Sequence, residues 1–194
     1  AILPLRGKVI NTLKNSAEKV RQNVELTTLF AALGCGIGED YDESKLQYGK
    51  LIIANDSDSD GFAISNLIIT ALLTFTPDLI RNGHVYRIDT PLFVNTLKNG
   101  KKVYSYNDKD QEEFLKKNKN NITKISRNKG WGELSAQLVK ETMVSPDTRR
   151  LRRLIMNEEN ESAVFENSEI FMGKDTGLRR DIIISEIDFV DESE

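Results

Sequence analysis

The spacing of apolar residues predicts an amphipathic helix near the start of the chain. Between residues 17 and 33 the apolar side chains recur at helical intervals and share roughly one face: Val20, Val24, Leu26, Leu29 and Phe30. The glycine-rich segment 34–38 follows directly and predicts the end of this helix. A phosphate-binding loop is the weaker interpretation, because the segment follows a helix rather than a strand and lacks the dinucleotide-binding spacing.

A strand, a helix and a second strand are predicted next. Residues 50–54 form a short apolar run typical of a buried parallel strand, residues 64–79 resemble a helix, and residues 83–88 resemble the following strand. A helix between two parallel strands makes a right-handed crossover. The pattern therefore predicts an α/β fold.

The rest of the pattern predicts a hairpin and further helices. Residues 93–106 are expected to form a hairpin that turns at Asn99-Gly100, because Asn-Gly is a strong turn signal. The other expected elements are a surface helix over 108–118, a strand over 122–126, and helices over 134–143 and 145–156, with Pro146 in a first turn. The polar residues that follow are expected to form a helical tail.

The composition is that of a globular domain. Of the 194 residues, 39% are hydrophobic and 29% are charged. The longest apolar stretch, residues 67–75, is far too short to cross a bilayer, so no membrane partner is expected. A single cysteine, Cys35, excludes an internal disulfide framework and a cysteine-rich zinc site, and it favours a cytoplasmic protein.

Charge is distributed unevenly, although the net charge is only −3. Three stretches are basic: Arg6, Lys8, Lys14, Lys19 and Arg21; Lys116, Lys117, Lys119, Lys124, Arg127 and Lys129; and Arg149, Arg150, Arg152 and Arg153. Charge runs of this kind are more often solvated surfaces than binding sites. A local basic face still suits phosphate groups.

Three aspartates stand directly after the first predicted strand. Asp56, Asp58 and Asp60 alternate with serines and precede Gly61, which would let the backbone turn into the next helix. In extended backbone, alternate side chains point the same way, so the three carboxylates are expected to converge at the carboxyl end of the strand. Anions so close favour a divalent cation, and oxygen ligands select Mg²⁺, Mn²⁺ or Ca²⁺.

Other interpretations of the aspartates remain open or fail. One aspartate could simply cap the next helix in a non-catalytic docking module. An EF-hand loop is excluded, because its twelfth position, which needs glutamate, is Leu67. An aspartyl-phosphate phosphohydrolase with Asp58 as nucleophile stays the alternative enzyme, although Phe62 follows the glycine where Thr or Val is usual, and Asn55-Asp56-Ser57 separates Asp58 from the strand.

Several segments in order resemble the Toprim region of type II DNA topoisomerase B subunits, as in gyrase and topoisomerase IV. The aspartate motif, Asp-x-Asp-x-Asp-Gly, is one. The others are Pro4-Leu5-Arg6-Gly7-Lys8, Gly83-His84-Val85-Tyr86 with Thr90-Pro91-Leu92, Lys129-Gly130-Trp131-Gly132-Glu133-Leu134, Glu141-Thr142-Met143 with Pro146-Asp147-Thr148-Arg149, and Phe171-Met172-Gly173-Lys174 with Arg179-Arg180. The resemblance covers almost the whole chain and implies a Toprim (Rossmann-like), mainly parallel sheet flanked by helices.

The resemblance also implies functional roles. Asp56 and Asp58 would hold Mg²⁺, with Asp60 supporting or sharing it, and Mn²⁺ or Ca²⁺ as possible substitutes. Arg6, Lys8 and Lys129 would contact DNA, and Glu133 would lie near the site. The implied partners are double-stranded DNA, an A-type subunit whose tyrosine attacks the DNA, and the ATPase and transducer part of the B subunit, which alone would bind ATP.

Departures from the family pattern limit these expectations. The family's catalytic glutamate precedes the segment that matches Pro4-Leu5-Arg6, so we expect that glutamate and the first Toprim strand to be missing here, no catalytic residue in this chain, and no cleavage by the chain alone. We expect residues 1–150 to form the Toprim domain and 151–194 a helical tail. Phe62-Ala63 and Trp131 replace the family's usual residues, which is typical of a divergent member such as a phage-encoded one.

Overall fold

The computed structural model describes residues 1–56, 58–128, 130, 132 and 134–186. The chain forms two compact units, each assembled from separated segments. The first contains Ala1–Gln47, Leu67–Asn82 and Ile155–Glu194, the last of which is described as far as residue 186, and the second contains Tyr48–Asn66 and Gly83–Leu154. The division into residues 1–150 and 151–194 stays a prediction.

The described helices and strands are numbered here in chain order. The helices are α1 (Ala17–Gln22), α2 (Val24–Leu33), α3 (Ser59–Phe75), α4 (Asp78–Arg81), α5 (Asp108–Asn118), α6 (Ala136–Val139), α7 (Glu161–Met172) and α8 (Gly177–Glu186). The strands are β1 (Leu51–Ile53), β2 (Val85–Asp89), β3 (Phe93–Leu97), β4 (Lys102–Ser105), β5 (Ile122–Arg127) and β6 (Arg150–Arg153).

Two helices open the first unit where one was predicted. Asn23 separates α1 from α2: its backbone is extended, and its side-chain Oδ1 accepts a hydrogen bond from the Leu26 N–H at 3.0 Å. Asparagine at this position accepts from an N–H that the start of a helix leaves unpaired. The side chain therefore starts a new helix here instead of allowing α1 to continue. The prediction of one continuous helix over residues 17–33 is therefore wrong at Asn23.

Gly34 ends α2, as the glycine-rich segment predicts. Its backbone is left-handed, with φ of 72°, and its N–H donates to the carbonyl of Phe30 at 3.1 Å. A side chain at this position would be strained, which explains a glycine after the last helical turn.

Apolar packing and a few long-range polar contacts hold the first unit together. Phe30 and Phe75 meet edge to face with ring centroids 5.6 Å apart. Arg81 bonds Asp78 and also Glu161, which ties the end of α4 to the start of α7. The Asn11 side-chain amide donates to the Met172 carbonyl at 2.8 Å and fixes the N-terminal segment to the end of α7.

The second unit is built on two three-stranded sheets. In the first sheet β2 lies between β1 and β6. Strands β1 and β2 are parallel, with Leu51 opposite Val85, and α3 connects them along the chain. The predicted strand–helix–strand unit is confirmed, although α3 starts earlier than residue 64 and stops at Phe75, because Pro77 follows closely.

Strand β6 corrects the predicted helix over residues 145–156. The chain turns at Pro146-Asp147 and then pairs with β2 in an antiparallel ladder, with Leu151 opposite Ile88. Proline suits such a turn as well as it suits a first helical turn. The distant strand β2 decides the outcome, because sheet formation depends on packing against a partner more than on local preference.

The second sheet is antiparallel, with β3 between β4 and β5. The hairpin of β3 and β4 turns at Asn99-Gly100, where Gly100 has φ of 79°, so that prediction is confirmed. A buried polar pair ties this sheet to α5: Asn95 and Gln111 exchange hydrogen bonds of 2.9 and 2.8 Å between their side-chain amides. Mutual pairing removes the cost of burying both amides.

The α/β fold class is confirmed. Parallel pairing is confined, among the described strands, to β1 and β2, because β6 and the hairpin return antiparallel. Helix α6 continues as a wider π turn over Lys140–Val144, and α7 and α8 confirm the helical character of the C-terminal residues as far as 186. Within the described part of the chain, no helix is long and apolar enough to cross a membrane.

Candidate metal and phosphate site

The segment that follows β1 is anchored through Asn55. The buried hydroxyl of Ser65, on α3, donates to Asn55 Oδ1 at 2.7 Å. The hydroxyl of Thr90, just after β2, donates to the Asn55 carbonyl at 3.0 Å. The loop is therefore fixed both to the helix that follows it and to the neighbouring strand. Sequence reasoning missed Asn55, Ser65 and Thr90, because nothing local marks a partner so distant in the chain.

Asp58 caps α3. Its Oδ1 accepts a hydrogen bond from the Gly61 N–H at 2.7 Å, and its carbonyl accepts from the Phe62 N–H at 3.0 Å. Capping is thus confirmed for one of the three aspartates. The bond also fixes the position of the Asp58 carboxylate, since a capping side chain has little rotational freedom.

Gly61 is required for a close approach rather than for a turn. It lies inside the first turn of α3, and a Cβ added there would meet the Asp56 carbonyl oxygen at 2.2 Å. A contact that short is impossible for any residue with a side chain. Gly61 therefore allows the backbone of Asp56 to fold onto the start of the helix, which keeps Asp56 beside the capped Asp58.

The three aspartates differ in exposure and backbone conformation, whereas extended backbone would have pointed all three side chains the same way. Asp56 is half-buried, Asp58 is exposed at the helix cap, and Asp60 is exposed and already helical. The assumption of extended backbone fails at Ser59, because α3 starts there. Among the residues that the structure describes, no three Asp, Glu, His or Cys side chains group closely enough to hold a metal. The roles of Asp56, Asp58 and Asp60 stay predictions.

Gly130, from a second segment of the resemblance, lies beside Asp56. A Cβ added at Gly130 would lie 3.9 Å from Oδ2 of Asp56, so this backbone approaches the carboxylate. The neighbouring Lys129, Trp131 and Glu133 lie outside the described residues. The predicted DNA contact of Lys129 accordingly stays a prediction.

Arg6 and Lys8 lie in the first unit, and both are exposed. Gly7 between them has φ of 127°, a backbone conformation that favours glycine. The two cations therefore flank a glycine-dependent bend. Their predicted contact with DNA phosphates stays a prediction.

We call the segment that carries Asp56, Asp58 and Asp60 the aspartate loop. One face of β2 continues from this loop and was not predicted. The Arg87 guanidinium stacks on the ring of Phe62, 4.0 Å from its centroid, and Asp89 accepts a hydrogen bond from Arg152 Nε at 2.7 Å. Burial lowers the pKa of Arg87, and the nearby Asp89 opposes that change. The guanidinium stays charged at neutral pH. The sequence feature that could have indicated this face is the third basic stretch, most of which forms β6.

A shallow pocket of about 340 Å³ opens beside β4 and α5. Its lining includes Tyr106, Lys117, Asn118 and Arg150, and the Arg150 guanidinium lies 4.0 Å from the centroid of the Tyr106 ring. Burial raises the pKa of the Tyr106 hydroxyl, so the ring is neutral at physiological pH.

Two family models match parts of this chain. Residues 1–90 match the family model of the Toprim domain, and residues 120–184 match that of the DNA gyrase B subunit, carboxyl terminus. The segment 50–62 and its anchors Ser65 and Thr90 fall within the first match.

Curated relatives include the DNA gyrase B subunits of three bacteria. That of Thermotoga maritima is 37% identical over 185 residues, that of Clostridium acetobutylicum 40% over 187, and that of Mycolicibacterium smegmatis 36% over 189. Each alignment covers 94% of this chain but only 28%, 29% and 28% of the respective relative, so the chain spans less than a third of their length. The family models and relatives agree, and the chain belongs to the family of type II DNA topoisomerase B subunits, in which it corresponds to the Toprim and carboxyl-terminal region.

Proposed function

We propose that this chain is the metal-binding and DNA-binding part of an ATP-dependent type II DNA topoisomerase that cleaves and religates duplex DNA. The observation that carries the proposal is the loop after β1, in which Gly61 packs against Asp56 while Asp58 caps α3. This geometry fixes the Asp58 carboxylate and the backbone of Asp56 at the carboxyl end of a strand, where α/β sheets place their sites. The Toprim and gyrase B matches support the same assignment.

The chemistry of the loop suits a divalent cation. Asp56 and Asp58 offer hard carboxylate oxygens, and Mg²⁺ typically takes one or two carboxylates and keeps several waters. We propose these two as ligands, with Asp60 supporting or sharing them, and Mn²⁺ or Ca²⁺ as substitutes. Mg²⁺ held here would stabilise negative charge on the reacting phosphodiester oxygens.

Other groups must complete the reaction. We propose that the family's catalytic glutamate comes from outside these 194 residues, that the attacking tyrosine belongs to an A-type subunit, and that ATP binds an ATPase part of the assembly. Arg6, Lys8 and Lys129 would contact DNA phosphates, where charge-assisted hydrogen bonds are strong. The chain alone is then expected to cleave no DNA, and we place the assembly in the cytoplasm.

The experiment is a calorimetric titration of the full chain with Mg²⁺ and Mn²⁺. Asp56→Asn and Asp58→Asn are the variants of choice, because asparagine keeps the size of aspartate and, at position 58, caps a helix nearly as well and so spares α3. Glu112→Gln, on the exposed face of α5, removes an equal charge elsewhere and serves as the control. Saturable binding that both aspartate variants lose and the control keeps would support the proposal.

Two other outcomes would count against it. Binding that survives in both aspartate variants would move the metal elsewhere, and the loop would then serve as a helix cap in a docking module. Absence of binding by the wild-type chain, even when it is combined with the A-type subunit and the remainder of the B subunit, would remove the metal-site proposal.

A further inference from the structure

Three arginines share one face of the first sheet, close to the aspartate loop. Side chains directly opposite each other in a ladder lie on the same face, and here Arg87 is opposite Arg152 and Asp89 is opposite Arg150. Alternation along each strand puts all four on the side of the sheet where Arg87 meets Phe62. We call Arg87, Arg150 and Arg152 the arginine face.

The arginine face carries more positive charge than its own carboxylate balances. Arg87 and Arg152 are like charges directly opposite, an arrangement that destabilises a sheet unless an anion lies nearby. Asp89 supplies one, through its hydrogen bond to Arg152 Nε, but Arg152 remains 71% exposed and Arg150 is also exposed. An external anion would therefore be attracted to this face.

Aromatic rings hold two of the guanidiniums in place. Arg87 lies over Phe62 and Arg150 over Tyr106, each 4.0 Å from the ring centroid. A guanidinium that stacks on a ring keeps the edges of its planar fork available, and it loses less freedom when it binds. The arrangement is thus prepared for the oxygens of a phosphate group.

The surface continues in both directions within the second unit. Phe62 directly follows Gly61 of the aspartate loop, so Arg87 reaches the edge of the proposed metal site. At the other end, Arg150 borders the shallow pocket that Lys117 and Asn118 also line. Cations are therefore spread along a path, which fits a ligand with repeated negative charges better than a single small anion.

We propose that the arginine face binds the phosphate backbone of duplex DNA, with Arg150 and Arg152 in direct contact and Arg87 reinforcing the positive potential between them and the aspartate loop. This inference rests on the proposed function and extends it to residues that neither the aspartate motif nor the basic segment Arg6 to Lys8 includes. A duplex is favoured over an acidic protein because its phosphates are regularly spaced along a line.

The test is binding of the full chain to a fluorescent duplex of random sequence, measured over a series of salt concentrations without divalent cations. Each phosphate contact contributes about 0.9 to the slope of log affinity against log salt. We expect Arg150→Gln/Arg152→Gln to lower that slope by roughly 1 to 2 and to weaken binding at low salt by roughly tenfold or more. Lys109→Gln/Lys116→Gln, on α5, removes the same charge and should change the slope less.

A gain-of-affinity variant separates the proposal from simple loss of folding. Asp89→Asn removes the carboxylate that competes with DNA for Arg152, so it should bind the duplex more tightly than the wild-type chain. Unchanged affinity and slope in the Arg150/Arg152 variant, or an equal loss in the α5 control, would overturn the proposal. Binding to polyglutamate as tight as to the duplex would also overturn it, in favour of an acidic protein.

The same measurements distinguish this inference from the proposed function. Metal binding by calorimetry should be unchanged in Arg150→Gln/Arg152→Gln, since neither arginine supplies a ligand. If the chain binds metal and Arg150→Gln/Arg152→Gln binds the duplex as the wild-type chain does, only the proposal for the arginine face is rejected. If the chain binds no metal but Arg150→Gln/Arg152→Gln still weakens duplex binding, only the metal proposal is rejected.

Discussion

Two acidic segments of the molecule share a close approach between a glycine and a backbone carbonyl, but they differ in the basic residues near them in sequence. In the turn that contains Asp42, a Cβ added at Gly36 would meet the Asp40 carbonyl at 2.2 Å, just as one at Gly61 would meet Asp56. Asp42, however, accepts hydrogen bonds from Ser44 and pairs with Lys45 at 3.0 Å. Compactness alone therefore does not make an acidic turn a candidate metal site.

The aspartate loop lacks basic residues near it in sequence. No lysine or arginine stands between Lys50 and Arg81, whereas Asp42 has Lys45 three residues later. Lys45 therefore offsets part of the negative charge of the Asp42 turn from within the same segment, whereas the segment of the aspartate loop contains no basic residue. This contrast supports the proposal of a metal ion at the aspartate loop rather than at the Asp42 turn.

The largest expected effect is at Gly61. Gly61→Ala forces the Asp56 backbone away from α3, because the added methyl group and the Asp56 carbonyl cannot occupy the same space. We expect the free energy of unfolding to fall by about 2 to 3 kcal/mol in urea denaturation, with a matching loss of metal affinity. Gly49→Ala is the control, since a Cβ at Gly49 meets nothing within 4 Å. A variant as stable as that control would show that the loop is not packed as described.

The anchor at Asn55 should have the next largest effect. Ser65→Ala removes a buried donor and leaves Asn55 Oδ1 without this hydrogen bond. The expected loss is about 1 to 2 kcal/mol of unfolding free energy by the same denaturation assay. Ser44→Ala, in the exposed Asp42 turn, should cost less, and equal losses would erase the distinction between the turns.

Local signals explain most of what the sequence predicted correctly. The hairpin follows from Asn99-Gly100 and helix α5 from its asparagine cap, both of which act within a few residues. The prediction of a helix over residues 145–156 is wrong because Arg150–Arg153 pair with β2 in a sheet. Pairing with a distant strand leaves little trace in the local pattern beyond the alternation of Leu151 with arginines.

The candidate site also combines features that local sequence predicts with contacts that depend on distant residues. The aspartate spacing and Gly61 were visible in sequence, although the reason for Gly61 is its contact with Asp56 and not a sharp turn. The contacts of Asn55 with Thr90 and of Arg87 with Phe62 depend on how β2 lies against the loop. A single sequence contains no local signal for such contacts.

Asp58 separates capping from metal binding. Asp58→Ala removes the cap and should cost about 1 kcal/mol of unfolding free energy, whereas Asp58→Asn should cost only a few tenths. Both variants should lose metal affinity equally, because both remove the carboxylate. The comparison of thermal denaturation with calorimetry checks this, and retention of metal binding by Asp58→Asn would leave Asp58 with the capping role alone.

The smallest effect concerns the pH dependence of the Asp42 turn. Hydrogen bonds from Ser44, then the neighbouring Lys45, hold the pKa of Asp42 below its usual range. A carboxylate with a lowered pKa stabilises the folded state above its ordinary pKa, and that contribution is lost as pH falls through the lowered value. The wild-type chain should therefore lose slightly more stability on acidification than Asp42→Asn, as urea denaturation at a series of pH values would show. Identical curves would contradict this.

The central claim, that the aspartate loop and not the Asp42 turn holds the cation, is tested most directly by adding Mn²⁺ to the isotopically labelled full chain. Paramagnetic Mn²⁺ broadens the amide signals nearest to it, and Mg²⁺ at the same concentration provides the diamagnetic control. The signals of Gly61, Phe62 and Gly130 should broaden first while those of Ser44 and Lys45 persist. Broadening centred on Ser44 and Lys45, with Gly61 unaffected, would contradict the assignment.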